Sequence, residues 1–111
     1  MRIYLIRHGR QNSPLCNVNV PLSDAGRRQA ELLGERLKKE SIDAVWSSDL
    51  IRACETADII NEKLHAPRLI REGLREISFG DLEGLSDDVI LERYADFFAA
   101  RASMKEDLPY P

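Results

Sequence analysis

Met1-Arg2-Ile3-Tyr4-Leu5-Ile6-Arg7-His8-Gly9 opens the chain, an apolar, β-prone run that stops abruptly at a cation, an imidazole and a glycine. Residues 3–6 read as a strand buried on both faces, the pattern of a parallel sheet. In an open parallel sheet, ligands sit in the crevice beyond the carboxyl ends of the strands, so Arg7 and His8 stand where a ligand would be met. Gly9 permits either a close approach of the backbone to that ligand or a positive φ. Taken alone, the three residues also fit a core strand capped by two solvated side chains, and the remainder of the chain has to decide.

Working outward, residues 11–21 are rich in Asn, Ser and Pro and predict a loop at the ligand edge of the sheet. Ser23 is a candidate N-cap with Asp24 complementing the helix dipole, and Ala30, Leu33 and Leu37 recur at helical spacing as far as Glu40. The charges on the opposite side of that helix read as a solvated face. Ala44-Val45-Trp46 predicts a second strand and so a βαβ unit with the first; Ser47-Ser48-Asp49 can cap the helix that follows. That second helix has Leu50, Ala53, Cys54, Ala57, Ile60 and Leu64 on its apolar side, with Arg52 off that face in the first turn and at the same sheet rim as Arg7 and His8. His65, at the far end, is accounted for by the C-terminal dipole.

Leu69-Ile70 predicts a weak third strand, and Leu74-Arg75-Glu76-Ile77 leads on toward the same rim. The apolar neighbours of Glu76 predict a partly buried carboxyl. The segment closes through Gly80 and Gly84, which permit tight turns, and Ser86 with Asp87 and Asp88 opens a third helix reaching Arg101. Its aromatic stripe reads as core or lid. Asp107-Leu108-Pro109-Tyr110-Pro111 is turn-like.

Composition narrows the classes. With 111 residues, 16 Lys plus Arg, 19 Asp plus Glu and a net charge of −3, the chain reads as one globular domain without a basic stripe for nucleic acid. No apolar run approaches the ~18 residues of a membrane span and no signal-peptide pattern begins the chain, so the expected location is cytoplasmic. Cys16 and Cys54 stand apart and read as free thiols; two distant histidines offer no metal cluster, and no cofactor is expected.

Arg7-His8-Gly9, then Pro21-Leu22-Ser23 with Gly26 and Gln29-Ala30, then Ser47-Ser48-Asp49-Leu50-Ile51-Arg52-Ala53 with Thr56-Ala57, then residues 74–84 together resemble the histidine phosphatase superfamily, the phosphoglycerate mutase-like group. The resemblance implies an α/β fold over residues 1–111 with a parallel or mostly parallel sheet and flanking helices, incomplete at the C-terminus because the family's second catalytic histidine, in a later Ser-His-Gly-like segment, has no counterpart here. It implies His8 as phosphate acceptor, Arg7 and Arg52 as phosphate anchors and Glu76 as proton donor. Those types suit the chemistry. Guanidinium forks match phosphoryl oxygens, an imidazole nitrogen can carry the phosphoryl group covalently, and a carboxylic acid can protonate an alkoxide.

The pattern departs just after the histidine, where Arg10, Gln11 and Pro14 replace the family's usual residues; Asn12 and Asn17 are both candidates for its asparagine. The expected function is phosphomonoester hydrolysis through a phosphohistidine on His8, with a small phosphorylated molecule or inorganic phosphate as ligand. The alternatives are a mutase and, from another class, a non-catalytic phosphate-binding or assembly module. An incomplete sheet also predicts pairing with a second copy or with a complementing C-terminal segment.

Overall fold

The computed structural model describes residues 1–102, so the terminal Asp107 to Pro111 turn lies outside the described residues. They comprise helix α1 (Asp24–Leu37), strand β1 (Val45–Ser47), helix α2 (Ile51–Leu64), strand β2 (Arg68–Ile70) and helix α3 (Asp87–Ala102), with 3₁₀ turns at Glu72–Leu74 and Gly80–Leu82. The described residues form two compact units, one of residues 1–13 and 19–76, the other of residues 14–18 and 77–102.

In the first unit, α1 begins where the capping pattern predicts. The Ser23 hydroxyl accepts from the Gly26 N–H at 3.1 Å and itself donates to the Arg10 carbonyl at 2.9 Å, so one side chain caps the helix and fastens it to the segment after Gly9. Ala30 and Leu37 turn inward onto Ile59 and Ile60 of α2, with Leu22 completing the core and Leu33 and Leu64 beside it. The two helices approach closely at Gly34, where an added Cβ would lie 3.2 Å from the Ile60 backbone.

An ion cluster fastens the same pair at the surface: Glu35 of α1 lies 2.6 Å from Lys38 and 3.0 Å from Lys63 of α2. Hydrogen bonds from Lys38 and then Lys63 hold its carboxyl down at about 2. A depressed carboxylate stabilises the fold above its unfolded pKa, ~4.3, and loses that contribution as pH falls through the folded value. Carboxyl NMR titration is therefore expected to find Glu35 ionised at pH 3; because the site is open to solvent, the midpoint should drift toward ~4 in strong salt.

Strands β1 and β2 pair in parallel with Val45 opposite Arg68 and Ser47 opposite Ile70, joined by α2 as the crossover. The βαβ unit is therefore β1-α2-β2, not one that begins at residue 3. Residues 1–10 join no ladder, and Ile3 is 72% and Leu5 95% exposed. An apolar run becomes a buried strand only where neighbouring strands offer their edges, and β1 pairs only with β2 among the described residues. The third strand, predicted at Leu69-Ile70, is present as β2.

At the end of α2, His65 adopts a left-handed conformation with φ 53°, and the Asn61 amide brackets the Ala66 backbone with two 2.9 Å hydrogen bonds. His65 is thus a helix-terminating residue. In the second unit, Gly80 and Gly84 take positive φ at the expected turns, and reciprocal backbone bonds join Cys16 to Gly84 and Leu85. Helix α3 follows Ser86 as expected and kinks at Tyr94, while Phe97 and Phe98 meet edge to face. Both cysteines are free thiols, and no described helix is long and apolar enough to cross a membrane.

Candidate active site

Gly9 is the point at which the N-terminal segment is seized by the fold. Its N–H donates to Thr56 Oγ1 at 2.9 Å; the next N–H, of Arg10, donates to Gln29 Oε1 at 2.9 Å, and the Arg10 carbonyl accepts from the Ser23 N–H and hydroxyl. A Cβ on Gly9 would stand 2.5 Å from the Gly26 carbonyl oxygen. Of the two uses foreseen for this glycine, close approach is the one realised, and what it approaches is the start of α1; its φ is not positive.

The His8 ring is oriented by its neighbour's backbone, with Nδ1 2.6 Å from the Gly9 carbonyl oxygen. A carbonyl only accepts, so Nδ1 carries the hydrogen and the neutral ring keeps its lone pair on Nε2. Arg7 and His8 line a cavity of about 340 Å³ together with Gly9, Gln29, Ala30, Leu33 and Thr56.

Arg52 is only 2% exposed, in the first turn of α2. Sequence patterning put it off the buried face, but α2 turns Arg52 and Thr56 inward together with Ala57, Ile59 and Ile60. Its guanidinium lies 3.5 Å from the Glu76 carboxylate. That carboxyl is about half exposed, contrary to the burial its apolar neighbours suggested, because Leu74 and Ile77 themselves face outward. Glu76 is steadied from next door: Arg75 grips Asp49 through two 2.6 Å bonds, and this guanidinium holds the Asp49 carboxyl below its ordinary range.

The expected residues thus form two groups, Arg7-His8-Gly9 lining the cavity and the Arg52-Glu76 ion pair, which does not line it. Thr56 joins them, since its hydroxyl accepts from Gly9 and donates to the Arg52 carbonyl at 2.7 Å. Thr56 and Gln29 are the site residues that residue-by-residue reading did not single out. The available signal was the resemblance itself, whose motifs Gln29-Ala30 and Thr56-Ala57 contain both. Asn12 is exposed, with its backbone N–H bonded to the Pro21 carbonyl. Asn17 belongs to the other unit, where its amide donates to Glu83 at 2.7 Å. Among the described residues no group of His, Cys, Asp and Glu could hold a metal ion.

The family model of the histidine phosphatase superfamily (branch 1) matches residues 3–111. An uncharacterized phosphatase of Bacillus subtilis, PhoE, is 36% identical over 111 residues, covering 96% of this chain and 58% of that protein. Phosphoglycerate mutase-like protein 4 of Arabidopsis thaliana is 36% identical, with 98% and 50% covered. Among solved structures, mycobacterial glucosyl-3-phosphoglycerate phosphatase superposes as its VO3 complex with a TM-score of 0.73 at 32% identity, covering 90% of this chain and 49% of that one. Its complex with inorganic phosphate gives 0.72 at 34% identity, with 90% and 47% covered. The chain thus spans about half the length of these relatives. A match that runs from Ile3 onward, through every motif that builds the cavity and the Arg52-Glu76 pair, places the chain in the histidine phosphatase superfamily.

Proposed function

We propose that the protein is a phosphomonoester phosphatase acting through a phosphohistidine on His8, with a small phosphorylated metabolite as substrate. The observation that carries this reading is the 2.6 Å bond from His8 Nδ1 to the Gly9 carbonyl, which leaves Nε2 as the free nucleophile beside Arg7. The Nε2 lone pair attacks phosphorus, the P–O ester bond breaks, and the leaving oxygen takes the proton of Glu76 in its carboxylic-acid form, leaving the carboxylate. Water then attacks the phosphohistidine, its proton passes to Glu76, and the P–N bond breaks to release inorganic phosphate.

Arg7 and Arg52 hold the phosphoryl oxygens as planar forks. A phosphoryl group taken up by Arg52 replaces Glu76 as partner of that guanidinium and leaves the carboxyl at the leaving oxygen. Gly9, its N–H engaged by Thr56, contributes by presenting no side chain, and Asn12 is the nearer of the two asparagines in sequence to His8. The complexes of the mycobacterial relative with VO3 and with inorganic phosphate support a phosphoryl ligand for this site.

The 111-residue chain by itself is expected to bind inorganic phosphate or vanadate but to hydrolyse p-nitrophenyl phosphate at least ~10²-fold below an ordinary enzyme rate. Residues 3–6 lie outside the sheet, and His65, the other histidine, caps a helix. Full turnover is expected once residues 3–6 and the open edge of β1 are covered by a second copy or a complementing segment. A monodisperse monomer with full turnover would refute this. Labelled phosphate trapped on His8 would exclude a purely phosphate-binding module, and isomerised product in place of free phosphate would favour the mutase.

A further inference from the structure

We propose that Thr56 is a positioning residue of this site, setting the backbone that carries His8 against the helix that carries Arg52. The inference rests on the phosphatase reading for its purpose, though not for its geometry. Of the attachments that hold residues 9 and 10, those to Ser23 and Gln29 reach α1, and the one to Thr56 reaches α2. Residues 1–10 belong to no strand ladder, so these attachments, and not a sheet, fix where His8 stands.

The hydroxyl works in both directions at once, accepting from Gly9 at 2.9 Å and donating to the Arg52 carbonyl at 2.7 Å. A bond from threonine to the carbonyl four residues back is common in helices; the bond from a distant glycine is not part of that local habit. Gly9 is buried and Thr56 only 5% exposed, so removing the hydroxyl leaves the Gly9 N–H without its protein partner, to be satisfied only from the cavity that both residues line. A displacement of ~1 Å between nucleophile and anchor is enough to lose ~10²-fold in phosphoryl transfer, which is why a rigid link at this place matters.

The test is NMR on the 111-residue chain with Thr56→Val and Thr56→Ser. Without ligand, the Gly9 amide and the His8 ring nitrogens are expected to shift in Thr56→Val and to return in Thr56→Ser, while the Ile59 and Ile60 methyl signals report an unchanged helix pair. With inorganic phosphate as the probe, Thr56→Val is expected to bind about tenfold more weakly, and Thr56→Ser within about twofold of the wild type. Should Thr56→Val not fold, the wild-type titration decides: the Gly9 amide and the Thr56 methyl must move with the same phosphate midpoint as the Arg52 Nε–H. Unmoved His8 and Gly9 signals in a folded Thr56→Val, or a Thr56→Ser that behaves like it, overturn the inference. A wild type that binds no phosphate overturns the phosphatase reading instead, and the ligand-free spectra still judge the positioning role.

Discussion

His8→Ala is expected to abolish phosphoester turnover in whichever form of the protein is active, this chain alone or this chain completed by further polypeptide. Removing a nucleophile outright has cost on the order of 10⁶ in turnover in the best-studied triad enzyme, because the covalent route disappears and is not merely slowed. Binding should fall far less, since the Arg7 and Arg52 guanidiniums, the proposed phosphate anchors, remain. The natural control is the other histidine. His65→Asn keeps a residue that tolerates the observed φ of 53° and should leave turnover unchanged. Steady-state assay and acid-quenched labelling check both; wild-type turnover in His8→Ala would sink the phosphohistidine mechanism.

The elements that were legible in sequence are those whose causes are local. Ser23 caps α1 because a hydroxyl two or three residues before a free helical N–H needs no distant partner, and Ala30 and Leu37 bury because their spacing is that of a helix face. Glycines 80 and 84 take positive φ where the turns were expected, again a local matter of a missing Cβ. Residues 3–6 differ. Their apolar run has the composition of a buried strand, but burial needs neighbouring strands, and whether those are present is not written in the run itself.

The site divides along the same line. Arg7, His8, Arg52 and Glu76 could be nominated by residue type and by their place at strand or helix ends. The inward turn of Arg52 and Thr56 could not, because a polar pair four residues apart reads as a solvent face until the Gly9 N–H that satisfies one of them is known. The free nitrogen of His8 is likewise a fact of geometry, set by the Gly9 carbonyl. Glu76 misled in the other direction: apolar neighbours in sequence suggested burial, whereas the extended stretch after the Glu72–Leu74 turn exposes both them and the carboxyl.

Gly26→Ala should be strongly destabilising, its added Cβ meeting backbone more closely than one at Gly9, Gly34 or Gly73 would. On helix propensity alone the change would help, since alanine is favoured over glycine by ~1 kcal/mol inside a helix, and Gly26 has no positive φ to lose. Sterics reverse the sign. The new Cβ would lie 2.1 Å from the Arg10 carbonyl oxygen and 2.7 Å from its nitrogen, both backbone atoms with no rotamer to give way. Arg10 cannot retreat cheaply, being bonded to the Ser23 N–H at 2.8 Å, the Ser23 hydroxyl at 2.9 Å and Gln29 at 2.9 Å. Overpacking usually costs ~1–3 kcal/mol, and a clash of this depth against fixed backbone belongs at or above the upper end. Because the strained segment is the one that carries His8, phosphate binding should weaken alongside stability. Two other glycines supply a graded series. Gly34→Ala meets Ile60 and Lys63 atoms at 3.2 Å and should cost less, and Gly73→Ala meets nothing within 4 Å and should be close to neutral. Thermal unfolding followed by circular dichroism would rank the three, and a Gly26→Ala chain as stable as the Gly73→Ala chain would show that α1 and the segment after Gly9 are not packed backbone against backbone.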